Sequence, residues 1–261
     1  MGTTTSPFFL LSPAYCGGRR AAILLNPQSQ AQTTRELRAG ALSLGRAFSF
    51  MSGLYFRGKI TYAERFGRAL VITPTRGLLD PDEPFSVALL REFAVGDVSL
   101  DNPDYRGALE RDARALAAKL GRRGTVVLLG SVASGKYVDV LLPIFGERLL
   151  YPVSFIGRGD MSRGGLLLRS AASGEELEYG PLTAGVRPRG PRPPKLDPAT
   201  RVRPDVAVSL EHETSSGLGP SRRGVVELGL SAAGTPRAEG LDAVVDCRLR
   251  PRARVHRRPQ S

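Results

Sequence analysis

The chain has 261 residues, 41% of them hydrophobic, which is enough to bury a core in one large domain or two small ones. Its 37 Lys and Arg outnumber 25 Asp and Glu, and the resulting net charge of +12 favours polyanionic partners without specifying a fold. Both histidines, His212 and His256, lie in the last third, so the rest of the chain has none for a metal, a general base or a catalytic triad. Cys16 and Cys247 are far apart and in no CxxC spacing, so neither a disulfide framework nor a zinc site is expected.

The opening MGTTTSPFFLLSPAYCGG has no basic leader, only a short apolar run and no small-residue cleavage site, so it does not read as a secretion signal. The match of Gly2 and Ser6 to a myristoylation pattern is easily met by chance. No stretch approaches the roughly 18 apolar residues of a membrane span. A cytoplasmic protein with no membrane partner is expected.

Phe8 to Ser12 reads as a buried first strand, ending in a Ser-Pro-Ala-Tyr-Cys-Gly-Gly loop flanked by Arg19 and Arg20. A helix is expected from Thr33 to Leu44. Another covers Tyr55 to Phe66, where Tyr55, Lys59 and Tyr62 fall at helical spacing and Arg57 and Arg65 suggest an amphipathic helix with a solvated basic side. Leu70 to Pro74 is a second buried strand, followed by the turn-rich TPTRGLLDPDEP. Tyr105 to Leu120 carries Leu109, Ala113, Leu116 and Leu120 on one face after an Asn-Pro-Asp start signal, the best-defined helix of the chain. TVVLLG, from Thr125, is a third strand and Leu149 to Ile156 a fourth. In the GRGDMSR segment after it, Asp160 is placed to cap a helix starting near Met161, with Arg158, Arg163 and Arg169 close by. Strands alternating with helices predict an α/β fold with a largely parallel or mixed central sheet.

From Ala184 the composition changes. The residues up to Thr183 contain 22 Lys and Arg against 17 Asp and Glu, whereas 184–261 contain 15 against 8 and half of the 20 prolines. Proline removes backbone donors and restricts the residue before it, so 184–261 is expected to be a mostly disordered basic tail behind a domain of residues 1–183.

Within TVVLLGSVASGKY, an apolar strand breaks into a Gly/Ser loop ending in a lysine. Gly130, Gly135 and Lys136 satisfy G-x-x-x-x-G-K, but Tyr137 stands where a P-loop needs a small hydroxyl for Mg²⁺, so a triphosphatase is not expected. The unpaired N–H groups at the start of the next helix still predict an anion site.

Three patches resemble, in order, motifs of the YaaA-like family. Leu10 to Ala14 (LLSPA) resembles its ISPAKTLD, Val132 to Tyr137 (VASGKY) its LASNEY, and Gly157 to Arg163 (GRGDMSR) its ARGLMAR. A related group of small bacterial and phage proteins shares patterns like LYFRGKITYA and ITPTRGLLDPDE. The resemblance covers about residues 8–170. It implies an α/β domain with a uracil-DNA-glycosylase-like flavour, DNA binding and a role in peroxide stress. Tyr15 replaces the lysine of the family's SPAK, and there is little room for the inserted helical module with which larger relatives grip DNA.

The reading favoured is a nucleic-acid-binding protein, with Ser12, Gly130, Gly135, Lys136, Tyr137, Arg158 and Arg163 lining one cleft for a phosphate or flipped base. Arg57, Lys59 and Arg76 are the further cations expected to meet nucleic acid. The alternative is an enzyme acting on a nucleoside, nucleotide or base, with Asp160 or Asp139 as its carboxylate. A noncatalytic protein acting through its basic tail is the third reading. No metal site or cofactor is expected from any motif.

Overall fold

The computed structural model describes residues 6–183 together with 188, 190 and 191. The basic, mostly disordered tail expected over 184–261 otherwise lies outside the described residues.

In chain order, β1 (Phe8–Leu11) is followed by four helices, α1 (Arg19–Leu25), α2 (Gln32–Arg38), α3 (Leu44–Ser52) and α4 (Leu54–Phe66). Then come β2 (Arg68–Ile72), the two-residue β3 (Leu78–Leu79), α5 (Val87–Val95), α6 (Pro103–Leu120), β4 (Val126–Leu129) and α7 (Gly135–Phe145). The last elements are β5 (Leu149–Pro152), α8 (Asp160–Ser173) and β6 (Tyr179–Pro181). The six strands form one sheet in the order β3-β2-β1-β4-β5-β6. Neighbours among β2, β1, β4 and β5 run parallel, and the edge strands β3 and β6 are antiparallel, so the sheet is mixed.

Strand β1 is the centre of this arrangement. Its residues pair with Arg68–Val71 on one side and with Val126–Leu129 on the other. Alternate residues of a strand point to opposite faces, so Phe9 and Leu11, with Val71, Val127 and Leu129, pack on one core. Phe8 and Leu10, with Ile72, Val126 and Leu128, pack on the other. Helices α1 to α5 and α8 supply the first core and α6 and α7 the second. The four-residue apolar runs FFLL and VVLL are thus buried at every position because both sheet faces are covered.

The expected helix over Thr33 to Leu44 is interrupted. Gly40 adopts φ 69°, a left-handed conformation that ends α2, and α3 starts afresh at Leu44. By contrast, the Asn-Pro-Asp signal acts as read: the Asn102 side chain accepts from the Asp104 N–H at 3.1 Å, and Pro103 is the first residue of α6.

Helices α4 and α8 meet backbone to backbone. A Cβ on Gly58 would lie 2.6 Å from the Gly164 carbonyl oxygen, and one on Gly164 would lie 2.7 Å from the Leu54 oxygen. Because the obstructing atoms are backbone, Gly58→Ala is expected to destabilise the fold by about 1–3 kcal/mol, the usual cost of overpacking. Gly107, in α6, has open space around its missing side chain, so Gly107→Ala should stabilise by up to about 1 kcal/mol through helix propensity. Urea unfolding of both variants checks this, and a tolerated Gly58→Ala overturns the packing account.

Candidate ligand cleft at the strand ends

Chain connections leave β1 towards β2 on one side and return to β4 on its other side. The carboxyl ends of β1 and β4 therefore border a topological switch point, where loops diverge and leave a crevice. A cavity of about 320 Å³ opens there. Its lining includes Ser12 and Tyr15 after β1, Arg20 of α1, Tyr55 of α4, Ser131, Lys136 and Tyr137 after β4, and Asp160 of α8.

Ser12 continues the β1–β4 ladder, its N–H donating to the Leu129 carbonyl at 3.2 Å. Its hydroxyl is 3.3 Å from the same carbonyl. Behind it lies Lys59, only 1% exposed, whose Nζ donates to the Ser12 carbonyl at 2.5 Å and lies 2.9 Å from Ser12 Oγ. The ammonium position is also 4.4 Å from the Tyr55 ring centroid and 4.8 Å from that of Phe56. Burial pulls the Lys59 pKa down to about 7; Asp160 opposes this and Arg163 adds to it.

Tyr55 is 6% exposed, and its hydroxyl, in the cleft wall, makes no hydrogen bond of normal geometry among the described residues. Burial pushes its phenol up to about 12, partly opposed by Arg163. Tyr137 is buried in the second core. Burial first, and then the nearby Tyr55 and Asp160 groups, hold its phenol above the ordinary value, with Ser12 opposing. Both tyrosines are therefore neutral donors near pH 7.

Helix α7 points its N-terminus at this crevice. Its first-turn N–H groups have no i−4 partner within the helix, and Ser134 at the N-cap makes no capping bond. The Ser134 hydroxyl is buried without a partner among the described residues. The turn is held from below by Tyr105 of α6, whose hydroxyl donates to the Lys136 carbonyl at 2.8 Å. Lys136 extends over the Tyr137 ring, 5.1 Å from its centroid. Gly130 brings the loop against β1, since a Cβ there would be 3.1 Å from Ser12 Cβ. Gly135 begins α7.

Of the expected cleft residues, Ser12, Lys136, Tyr137 and Asp160 converge, with Gly130 and Gly135 shaping their loop. Arg158 and Arg163 do not line the cavity. Arg158 donates from Nε to Ser154 O at 2.9 Å and from Nη1 to Ser162 Oγ at 3.1 Å. Arg163 donates through Nε and Nη2 to Phe155 O and stacks 5.3 Å from the Phe155 ring centroid. Both brace the turn between β5 and α8. Asp160 opens α8 as its first residue, one earlier than expected, with 3.7 Å to Arg163 Nη1 and a side chain 70% exposed at the cleft rim. Asp139 lines a larger, mainly apolar cavity of about 810 Å³ between α7 and the β5–β6 edge, and its carboxylate also reaches back to the first residue of α7, with Oδ2 2.1 Å from where a Cβ on Gly135 would be.

The three cations expected to meet nucleic acid part company. Arg57 is exposed on α4. Lys59 is not on a solvated face: Tyr55, Phe56, Lys59, Tyr62 and Ala63 are all buried, so the lysine occupies a slot in the helix's apolar stripe. Arg76 is paired with Glu92 through Nε at 2.9 Å and Nη2 at 2.7 Å. Sequence reading missed Tyr55 and Arg20 as cleft residues, although the lysine at an apolar helix phase was a visible signal for the first.

Among the described residues no group of His, Cys, Asp and Glu could hold a metal ion, and no helix is long and apolar enough to cross a membrane. Comparison with protein-family models, curated proteins and solved structures finds no match.

The charge of Lys59 has a measurable consequence for stability. Its folded pKa lies below the unfolded value, so between about pH 7 and 10.5 the unfolded chain binds more protons and stability rises with pH. Cys16 and the buried tyrosines have the opposite sign, but only above about pH 9. Stability of the native chain is expected to climb from pH 7 to 9 by at most about 1.4 kcal/mol per unit, and that slope should vanish in Lys59→Met. Urea titrations at three pH values test it.

Proposed function

We propose that the cleft binds a nucleotide-like ligand, with a phosphate at the α7 N-terminus and a base against Tyr15. The supporting observation is the meeting, at the switch point, of a helix N-terminus that Ser134 leaves uncapped, two cations and an exposed aromatic. Lys136 and Arg20 supply the positive charge. Tyr15 is 78% exposed at the rim and lies over the Gly17–Gly18 turn, where a Cβ on Gly17 would be 2.7 Å from its hydroxyl. An exposed ring beside an anion site suits stacking, a role that the buried Tyr137 cannot take.

A cavity of about 320 Å³ is at the small end of the roughly 300–1,000 Å³ range of ligand pockets. It suits a single nucleotide, free or rotated out of a DNA strand, and not a duplex. The YaaA-like motifs LLSPA, VASGKY and GRGDMSR support the DNA version of this reading, in which the domain takes an extrahelical nucleotide as a uracil-DNA glycosylase does, in the cytoplasm and in a damage or stress response.

Binding of a nucleoside monophosphate and of single-stranded oligonucleotides, followed by calorimetry at several salt concentrations, tests the proposal. Lys136→Ala should weaken binding by about 1.5–3 kcal/mol, the usual worth of a hydrogen bond to a charged group. Tyr15→Ala should cost about 1–3 kcal/mol on a base-bearing ligand and nothing on inorganic phosphate. Equal loss on both ligands removes the base from the cleft, and no binding of either overturns the reading.

A further inference from the structure

The Ser12–Lys59 contact is not used by nucleotide binding. A hydroxyl in the wall of a cleft is backed by an amine almost wholly removed from water, with 2.9 Å between Oγ and Nζ. We propose that Ser12 and Lys59 form a nucleophile–base pair and that the cleft cleaves small carboxylic esters through an acyl-Ser12 intermediate. The proposal shares the cleft with the nucleotide reading but does not require the bound group to be a nucleotide.

Lys59 Nζ donates to the Ser12 carbonyl and to Ser12 Oγ, and the Ser12 hydroxyl donates to Leu129 O; in the reacting state the neutral amine turns its lone pair to Oγ and the hydroxyl leaves Leu129 O for it. The charged and titratable groups around the pair are Tyr15 and Arg20 after β1, Tyr55 of α4, Lys136 and Tyr137 of α7, and Asp160 and Arg163 of α8. With a pKa of about 7, Lys59 exists substantially as free amine at neutral pH and can take a proton. A solvated lysine is almost entirely protonated there.

In the acylation step, Ser12 Oγ bonds to the ester carbonyl carbon and its proton passes to Lys59 Nζ. The carbonyl oxygen becomes an oxyanion beside the first-turn N–H groups of α7 and the Tyr55 hydroxyl. Collapse breaks the bond to the alkoxide, which leaves as the alcohol with the proton from Lys59. Water then attacks acyl-Ser12, again losing a proton to Lys59. That proton returns to Ser12 as the carboxylic acid departs. Ester and water give acid and alcohol, with no other reactant.

The test treats the full chain with a fluorophosphonate probe, locates the adduct by peptide mass spectrometry and measures hydrolysis of p-nitrophenyl acetate. A single adduct on Ser12 is expected, forming at a rate that rises with a midpoint near pH 7 and absent in Ser12→Ala. Lys59→Arg retains N–H donors for Ser12 but cannot accept a proton, so it should slow labelling and hydrolysis by roughly 10²–10⁴-fold. Melting curves show whether each variant folds. If Lys59→Arg does not fold, the native pH profile decides: a flat rate, or a midpoint below pH 5, overturns the pairing. Labelling elsewhere, or an undiminished rate in folded Lys59→Arg, also overturns it. Labelling of Ser12 in a protein that binds no nucleotide keeps the pair and retires the nucleotide reading, whereas nucleotide binding without labelling does the reverse.

Discussion

Helices α4 and α8 pack with no side chain between them at Gly58 and Gly164, and the positions of the cleft groups follow from that approach. Lys59 is the next residue after Gly58, so the contact that brings the helices together also carries the amine under the end of β1. Gly164 follows Arg163, which reaches back to Phe155, and Asp160 lies one turn earlier at the rim. A larger residue at either glycine would push the helices apart and move Lys59 relative to Ser12. Packing thus sets the chemistry of this crevice more directly than any loop does.

Burying an amine at this depth is costly unless its donors are satisfied, and here the partners are two oxygens of one residue and two aromatic faces. Neither oxygen is a carboxylate. A direct ion pair would hold the lysine charged; dipoles and rings hold it in place while leaving its charge poised near neutrality. Asp160 acts on it from a solvated position, and Arg163 acts with the opposite sign from a more buried one.

The strands were legible because parallel strands covered on both faces are uninterrupted apolar runs, as FFLL and VVLL are. The edge strands were not, since β3 has two residues and β6 includes a proline and a glycine. Convergence of Ser12 and Lys136 followed from their placement just beyond strand ends. Arg158 and Arg163 were misplaced for a physical reason: near an anion site an arginine reads as a ligand, yet a turn with exposed carbonyls satisfies the same donors. Lys59 was misjudged by charge, although its phase in α4 coincides with that of Tyr55, Phe56, Tyr62 and Ala63.

The same contest between motif and environment explains the near-match to a P-loop. The segment has the strand, the glycines and the lysine, and its helix N-terminus does face the crevice. What differs is where the following residue goes. Tyr137 turns into the core formed by α6, α7 and one face of the sheet, with only 3% of its surface exposed. A small hydroxyl there would leave a void that the second core fills with an aromatic ring, so the loop cannot present a metal ligand without losing packing. The anion-binding half of the motif and the metal-binding half are therefore separable. This chain keeps the half made of backbone and lysine, and sets beside it a serine with a buried amine.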